Sequence, residues 1–423
     1  MSLLYNLGIG AYGMAARVAA LSSEKVHDML EGQKQTFARL AEYRRKLAPG
    51  GFDLWVHASS LGEFEQGRPL IEAFLSANPD AAILLSFFSP SGYKVRHNFH
   101  PRVAVVYLPF DTAANARRFV DEAAPAMAVF VKYEFWSNYL HELKARKVPT
   151  YIISAIFRPG QIFFRPWGGE FRDILRCFTH LYVQDDASCK LLDGIGITNV
   201  TVAGDTRFDR VAAIGREKEN LPPFDALRRR VPFVLVAGSS WPADEEIYIP
   251  WLKAHPEVCA VIAPHEFDKT RVVALRNRLG VDVTVAYSEL GKDKTLPDNA
   301  RYIILDTFGM LSKIYSIADV AYVGGGFGAG IHNINEPAAW GIPVIYGPRH
   351  RKFNEATALM QAGGGFSITG RRALEDVMST LLTDSGKRRQ AAEAARCFIA
   401  DNIGATEKIM ADLPRTRRKH TDR

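Results

Sequence analysis

The stretch FDLWVHASSLGEFEQGRPLIEAFLSAN (52–78) decides the fold. Its LWV run reads as the heart of a strand buried on both faces, as in a parallel sheet. A Ser/Gly turn follows, and EFEQGRPLIEAFLSAN reads as an amphipathic helix. Working outward, the same strand–helix unit recurs. AAILLSFF precedes SPSGYKVRHNF, VAVVYLPF precedes TAANARRFVDEA, and AMAVFV precedes FWSNYLHELKARK. PTYIISAIF and HLYVQ follow as strands, and this half ends near VTVAGDTRFDRV. A second series starts with FVLVAGSS and continues through VCAVIAP, VDVTVAY, ARYIILDT, DVAYVGGG and PVIYGP as strands. PADEEIYIPWLKAH, DKTRVVALRNRLG, GMLSKIYSIA and NEPAAWG read as the helices between them. Strands alternating with helices indicate βαβ units, and so two doubly wound α/β halves. Such halves are expected to place a ligand crevice at the carboxyl ends of their strands.

The expected organisation is an N-terminal helix over 1–24, a first half over 25–214, a linker over 215–232, a second half over 233–390, and a C-terminal helix with a basic tail over 391–423. GREKENLPPFDALRRRVP (215–232) is charged and proline-bearing, which suggests the linker.

The chain has 423 residues, 47% of them hydrophobic and 23% charged, which excludes a disordered, collagenous or polytopic membrane protein. Lys and Arg outnumber Asp and Glu by 53 to 46, a net charge of +7 that favours anionic partners. The basic residues are not interleaved with aromatics on one face, so a nucleic-acid partner is discounted. Cys177, Cys189, Cys259 and Cys397 lack CxxC or zinc spacing and read as reduced thiols. No ligand cluster suggests a metal site, and no GxxxxGK[ST] suggests a P-loop.

LLYNLGIGAYGMAARVAAL (3–21) is the one membrane-like stretch, at the short end of what spans a bilayer. Lys25, Lys34, Arg39, Arg44, Arg45 and Lys46 follow it, which would keep the rest of the chain on the cytoplasmic side. The stretch reads as a membrane anchor or interfacial helix, or as a helix packed on the protein's own core.

Three clusters could carry chemistry. In HASSLGEFEQ (57–66), Glu63 lies at a strand-to-helix turn, where a carboxylate can take a proton from a hydroxyl. It also follows Ser60 by three residues, the capping-box spacing, and on spacing alone capping is the plainer reading. In AGSSWPADEE (237–246), the turn at Ser239 and Ser240 offers backbone N–H groups to a phosphate, or is a capped βα turn with Ser240 or Asp244 as cap. His265 and Lys269 stand after the next strand and could meet the same phosphate or solvent. In VGGGFGAGIHNINEPAAWG (323–341), glycines permit close backbone approach, with His332, Asn333, Asn335 and Glu336 beside them. The spacing does not match a dinucleotide fingerprint.

With these clusters in this order, the chain resembles the bacterial 3-deoxy-D-manno-octulosonic acid (Kdo) transferases, from about Trp55 to about Ala358. WVHASSLGE is similar to the family's WVHA-S-GE, YLPFD (107–111) to YLPYD, and KYEFWSNYL (132–140) to E-x-E-x-W-P-N-L. GDTRFD (204–209) is similar to GN-x-KFD and AGSSWPADEE to AGS-x-x-GEE. DTFGMLSKIYSIADVAYVGG resembles DT-x-GEL-x-x-x-Y-x-x-ADVAFVGG, and GIHNINEPAAWGIPVIYGP resembles GGHN-x-x-EPAA-x-GKPV-x-FGP. Lys132, Ser137, Arg207, Met310 and Ile331 depart from the family pattern.

The resemblance implies a GT-B fold, two Rossmann-like domains facing a central cleft, with an N-terminal membrane-anchor helix. It implies an inverting glycosyltransferase that moves Kdo from CMP-Kdo to the lipid A precursor at the cytoplasmic face of the bacterial inner membrane, without a cofactor. Glu63 would be the catalytic base, with Ser60, Gly62 and Glu134 on the acceptor side. Arg207, Ser239, Ser240, His265, Lys269, Gly309, His332, Asn333, Asn335 and Glu336 would hold the donor. Two other readings stand beside it: a GT-B enzyme using a UDP- or GDP-sugar, and a non-catalytic, membrane-tethered nucleotide-binding protein.

Overall fold

The computed structural model describes residues 3–216, 219–291 and 293–414. The chain forms two units, Met1–Arg210 with Ile403–Arg423, and Val211–Asn402.

In the first unit, α1 (Leu3–Ala19), α2 (Glu24–Lys34) and α3 (Thr36–Lys46) precede the sheet. Then come β1 (Leu54–Ala58), α4 (Leu61–Ala77), β2 (Ile83–Phe87), α5 (Pro90–Arg96), β3 (Val103–Tyr107), α6 (Ala113–Ala123) and β4 (Ala128–Val131). α7 (Ser137–Ala145), β5 (Thr150–Ala155), α8 (Gly169–Leu175), β6 (His180–Val183), α9 (Asp186–Asp193) and β7 (Val200–Val202) complete the series, and α10 (Arg207–Ile214) carries the chain across the unit boundary at Arg210. The seven strands are all parallel, in the order β3-β2-β1-β4-β5-β6-β7. Alternation along β1 sends Leu54, Val56 and Ala58 to one core face and Trp55 to the other. Trp55 packs against Phe119, Phe130 and Tyr139 and donates its indole N–H to Ser86 Oγ at 2.8 Å.

In the second unit, α11 (Pro222–Arg230) leads into β8 (Phe233–Ser240), α12 (Pro242–Ala254), β9 (Val258–Pro264), α13 (Lys269–Leu279), β10 (Thr284–Ala286) and β11 (Tyr302–Ile304). α14 (Leu311–Ile314), β12 (Val320–Val323), α15 (Asn335–Ala339), β13 (Val344–Tyr346), α16 (Asn354–Ala362), β14 (Gly365–Ser367), α17 (Arg371–Thr383) and α18 (Ser385–Ala400) follow. This sheet is also seven-stranded and parallel, in the order β10-β11-β9-β8-β12-β13-β14. The chain ends its described part in α19 (Ala405–Asp412), which belongs to the first unit. Ile409 and Leu413 join the core face of Val56 and Phe64 there. Asp209 accepts hydrogen bonds from the Gly404 and Thr406 N–H groups at 2.6 and 2.7 Å, fastening the start of α19.

Two boundaries differ from the sequence reading, and at the N-terminus the helix packs on the protein's own core, one of the readings left open. The expected linker holds α11, whose Phe224 and Leu227 are fully buried in the second unit. Its prolines occupy the first helical turn, where no N–H is needed, and Arg228–Arg230 lie at the favourable C-terminal end. The C-terminal segment from 391 divides between α18 of the second unit and α19 of the first, and residues 415–423 of the expected basic tail lie outside the described residues. The N-terminal stretch is a 17-residue helix seated on the first unit by polar contacts. Tyr5 donates to Asp111 at 2.6 Å, and Asn138 Nδ2 donates to Asn6 Oδ1 at 2.9 Å. Among the described residues no helix is long and apolar enough to cross a membrane.

Candidate active site

In the first unit the strand order reverses at β1, which pairs with β2 on one side and β4 on the other. The turns leaving these strands form one cluster. Phe88 and Ser89, after β2, both donate backbone N–H groups to Ser59 O, at 3.2 and 2.7 Å. Ser60 caps α4 by position, but its hydroxyl makes no capping bond and instead donates to the Glu63 carboxylate. The capping box allowed by the spacing is therefore not formed. Glu63 is part-exposed on the first turn of α4, and Gly62 is exposed beside it.

Glu134, in the turn after β4, is buried and accepts from two donors. Trp136 Nε1 lies 2.5 Å and His57 Nε2 3.2 Å from its Oε2. The other nitrogen of fully buried His57 lies 2.9 Å from Ser86 Oγ. The chain Trp55–Ser86–His57–Glu134–Trp136 is satisfied throughout when His57 carries its proton on Nε2, a tautomer assigned from the network. Ser137 departs from the family's proline, and its backbone N–H donates to Tyr5 OH of α1 at 3.3 Å. A proline would have no hydrogen to give.

Arg207 is also carried by the first unit. It binds Asp205 through Nε at 2.9 Å and Nη2 at 2.7 Å, and the same carboxylate accepts from Gln66 Nε2 at 3.0 Å. The other expected donor-side residues belong to the second unit.

There the order reverses at β8, between β9 and β12. Asp244, fully buried on the first turn of α12, gathers the turns. Its carboxylate accepts from Gly325 N at 2.8 Å, Trp241 N at 3.0 Å and Tyr322 OH at 3.0 Å. Burial is the largest influence on this group and holds its pKa above the ordinary carboxylate range. The glycines here are needed for close approach. A Cβ on Gly324 would stand 2.2 Å from Ser239 O, and one on Gly326 would stand 2.6 Å from Gly347 Cα.

Three rings from three turns meet above Asp244's loop. Trp241 stacks on His265 with centroids 4.3 Å apart, His265 lies 4.7 Å from His332, and Trp241 Nε1 donates to His332 Nε2 at 3.2 Å. Nε2 of His332 is therefore the lone-pair nitrogen. Burial, and then the neighbouring His265, lower its pKa. The His332 ring is accordingly expected to take its proton only below the ordinary histidine value of about 6.5. An NMR titration of the ring signals checks this, and a midpoint above that value would contradict the arrangement.

Not every expected donor-side residue presents its side chain here. Ser240 is buried and its hydroxyl faces Tyr248 OH at 2.6 Å, because Ser239 takes a left-handed φ of 51° and turns the next residue inward. The Ser240 hydroxyl is thus turned away from a ligand, and the backbone and the partly exposed Ser239 remain. Asn335 is fully buried, while Asn333 is exposed and donates to Glu336 at 3.0 Å. Lys269 opens α13 as an exposed residue. Gly309, with a φ of 84°, follows the exposed Phe308, whose ring lies 4.5 Å from Phe267 beyond β9. Trp241, Phe267 and Phe308 were not singled out by the sequence reading. The signal available was an aromatic residue within a few positions of each strand end.

Comparison with known proteins supplies the chemistry. A family model described as 3-deoxy-D-manno-octulosonic-acid transferase (kdotransferase) matches residues 31–210, which hold Glu63, Glu134 and Arg207. A 3-deoxy-D-manno-octulosonic acid transferase of Haemophilus influenzae is 25% identical over 397 residues, covering 88% of this chain and 90% of that protein. Over most of its length the chain is similar to Kdo transferases. The same-named protein of Bordetella pertussis is 27% identical over 386 residues, covering 87% of this chain and 88% of its own. Among solved structures, UDP-GlcNAc 2-epimerase from Neisseria meningitidis bound to UDP-GlcNAc aligns with a TM-score of 0.60 over 85% of this chain and 98% of its own. At 13% identity that likeness is one of fold, and it agrees with two Rossmann-like domains of the GT-B class for this chain.

Proposed function

We propose that this glycosyltransferase moves Kdo from CMP-Kdo to the lipid A precursor, with inversion at the anomeric carbon, at the cytoplasmic face of the inner membrane. The observation that carries the reading is the Glu63 carboxylate, held by the Ser60 hydroxyl at the turn out of β1, within the segment that matches the family. In this account Glu63 takes the proton from an acceptor sugar hydroxyl. The oxygen attacks the anomeric carbon of Kdo from the face opposite CMP, and CMP leaves with the bonding pair. Ser60, Gly62 and Glu134 serve the acceptor side. The turn at Ser239–Ser240 offers backbone N–H groups to the departing phosphate, with His265 and Lys269 of the same unit as sources of charge or hydrogen bonds. His332, Asn333, Glu336 and Gly309 complete the donor side.

Membrane attachment in this account is interfacial. α1 leaves Leu7, Met14 and Val18 exposed, a spacing of seven and four that keeps them on one helix face. Exposed Lys25, Arg45 and Lys46 follow, each attracting an anionic headgroup by about 1 kcal/mol.

Nucleotide selectivity separates this reading from that of a UDP- or GDP-sugar enzyme. Calorimetry with CMP, UDP and GDP is expected to give the tightest binding for CMP. Tighter binding of UDP or GDP would point to the other donor class.

A further inference from the structure

A cavity of about 420 Å³ lies between α1, α2 and the turn after β2. Its wall comes from Tyr12, Ala16 and Ala19 of α1, Val26 and Met29 of α2, and Phe88. The concavity follows from the sequence of α1, whose small alanines leave room that larger residues would fill. The volume is in the range of pockets that hold small ligands, about 300–1,000 Å³. The lining is mostly apolar, with the exposed Lys25 also bordering it.

Two residues of the cavity wall are bonded to the turn that carries Glu63. Phe88 and Ser89 are hydrogen-bonded to Ser59 O, next to Ser60. The Phe88 ring lies 4.9 Å from that of Trp136, which donates to Glu134. Tyr12 lies 5.7 Å from Phe110 and 6.4 Å from Phe88, closing one side with aromatic surface. The same helix, α1, is tied to the unit through Tyr5 and Asp111, so the cavity is part of the folded unit.

We infer that this cavity takes one acyl chain of the lipid acceptor, holding the sugar headgroup at the Glu63 turn while Lys25 meets the headgroup's negative charge. The inference rests on the lipid-acceptor reading above and adds to it a site that selects acylated acceptors. Apolar lining suits a hydrocarbon chain, since each buried methylene adds to binding by the hydrophobic effect.

The test compares Kdo transfer in detergent to a tetra-acylated precursor and to its fully deacylated form, for the wild type and for Ala15→Trp. Ala15 is an exposed cavity residue, so an indole there fills the space from outside. For the acylated acceptor the variant is expected to raise KM about tenfold or more, the loss of a few methylenes' worth of burial. The deacylated acceptor and CMP-Kdo are expected to keep their wild-type KM values. An unchanged KM for the acylated acceptor overturns the inference and leaves the transfer reading standing. Absence of transfer to either acceptor by the wild type counts against the transfer reading instead. A diazirine in the acyl chain of the precursor reads the cavity independently of turnover. Labelling of Tyr12–Met29 and Phe88, displaced by unlabelled precursor, supports the site. Equal labelling by a diazirine phosphatidylethanolamine overturns it, since bulk membrane lipid would then fill the cavity.

Discussion

Replacing Glu63 with Ala is expected to lower Kdo transfer by about 10²–10⁴-fold, the usual contribution of a positioned general base. CMP binding and the KM for lipid are expected to stay near the wild-type values. The reason lies in how the carboxylate is held. Ser60 spends its hydroxyl on Glu63 instead of on the helix cap, which fixes one carboxylate oxygen at the turn out of β1. Glu63→Gln keeps an oxygen to accept that bond and loses the basic group. The two variants should therefore fail alike in transfer while folding like the wild type. A Gln variant with near-normal turnover would assign Glu63 to structure. Were capping its only role, the loss would appear as about 1 kcal/mol of stability with little change in rate.

Asp244→Ala is expected to have the largest effect in the second unit. The carboxylate is fully buried and satisfies three donors from α12, β12 and the glycine-rich turn. Its removal strands the Gly325 and Trp241 N–H groups and the Tyr322 hydroxyl. At about 1–3 kcal/mol for each buried unpaired group, partly relieved by water, the loss is about 3–5 kcal/mol. Trp241 and Gly325 flank the ring cluster with His332, so CMP affinity should fall as well, by about 10–100-fold for 1.4–2.8 kcal/mol of lost order. Asp244→Asn is expected to keep more of the site, because its amide oxygen can accept from the Gly325 and Trp241 N–H groups while its NH₂ donates to the Tyr322 hydroxyl oxygen. Urea unfolding and calorimetry with CMP check the two effects. A stability and affinity equal to the wild type would remove Asp244 from this role.

Much of this architecture was legible in the sequence, for a physical reason. Strands buried on both faces must be nearly all apolar, so LWV, AILL, VAVV and VLVA stand out against charged helices. What stayed hidden was packed through a narrow face. α2 and α3 read as a basic flank, yet Met29 and Leu40 are buried beneath their charges. α11 shows only Phe224 and Leu227 among prolines and arginines, and β14 is three residues long. The site divides in the same way. Glu63 stood out at the turn after the first buried strand, where spacing favoured capping and the resemblance a base; the structure shows that its partner Ser60 makes no capping bond. Ser240 misled because a left-handed Ser239 reverses which way its hydroxyl faces. The Trp241–His265–His332 cluster was hidden because its rings come from turns after three different strands, which only the order β9-β8-β12 brings together. Arg207 was expected among the donor-binding residues from the resemblance, and its partner Asp205, two residues earlier, was not foreseen.

The most direct measurement is mass analysis of the lipid after the purified protein is incubated with CMP-Kdo and a tetra-acylated lipid A precursor. This account calls for precursor heavier by whole Kdo residues, formed by the wild type and not by Glu63→Gln. Precursor of unchanged mass, with the nucleotide sugar intact and the protein folded, would contradict it.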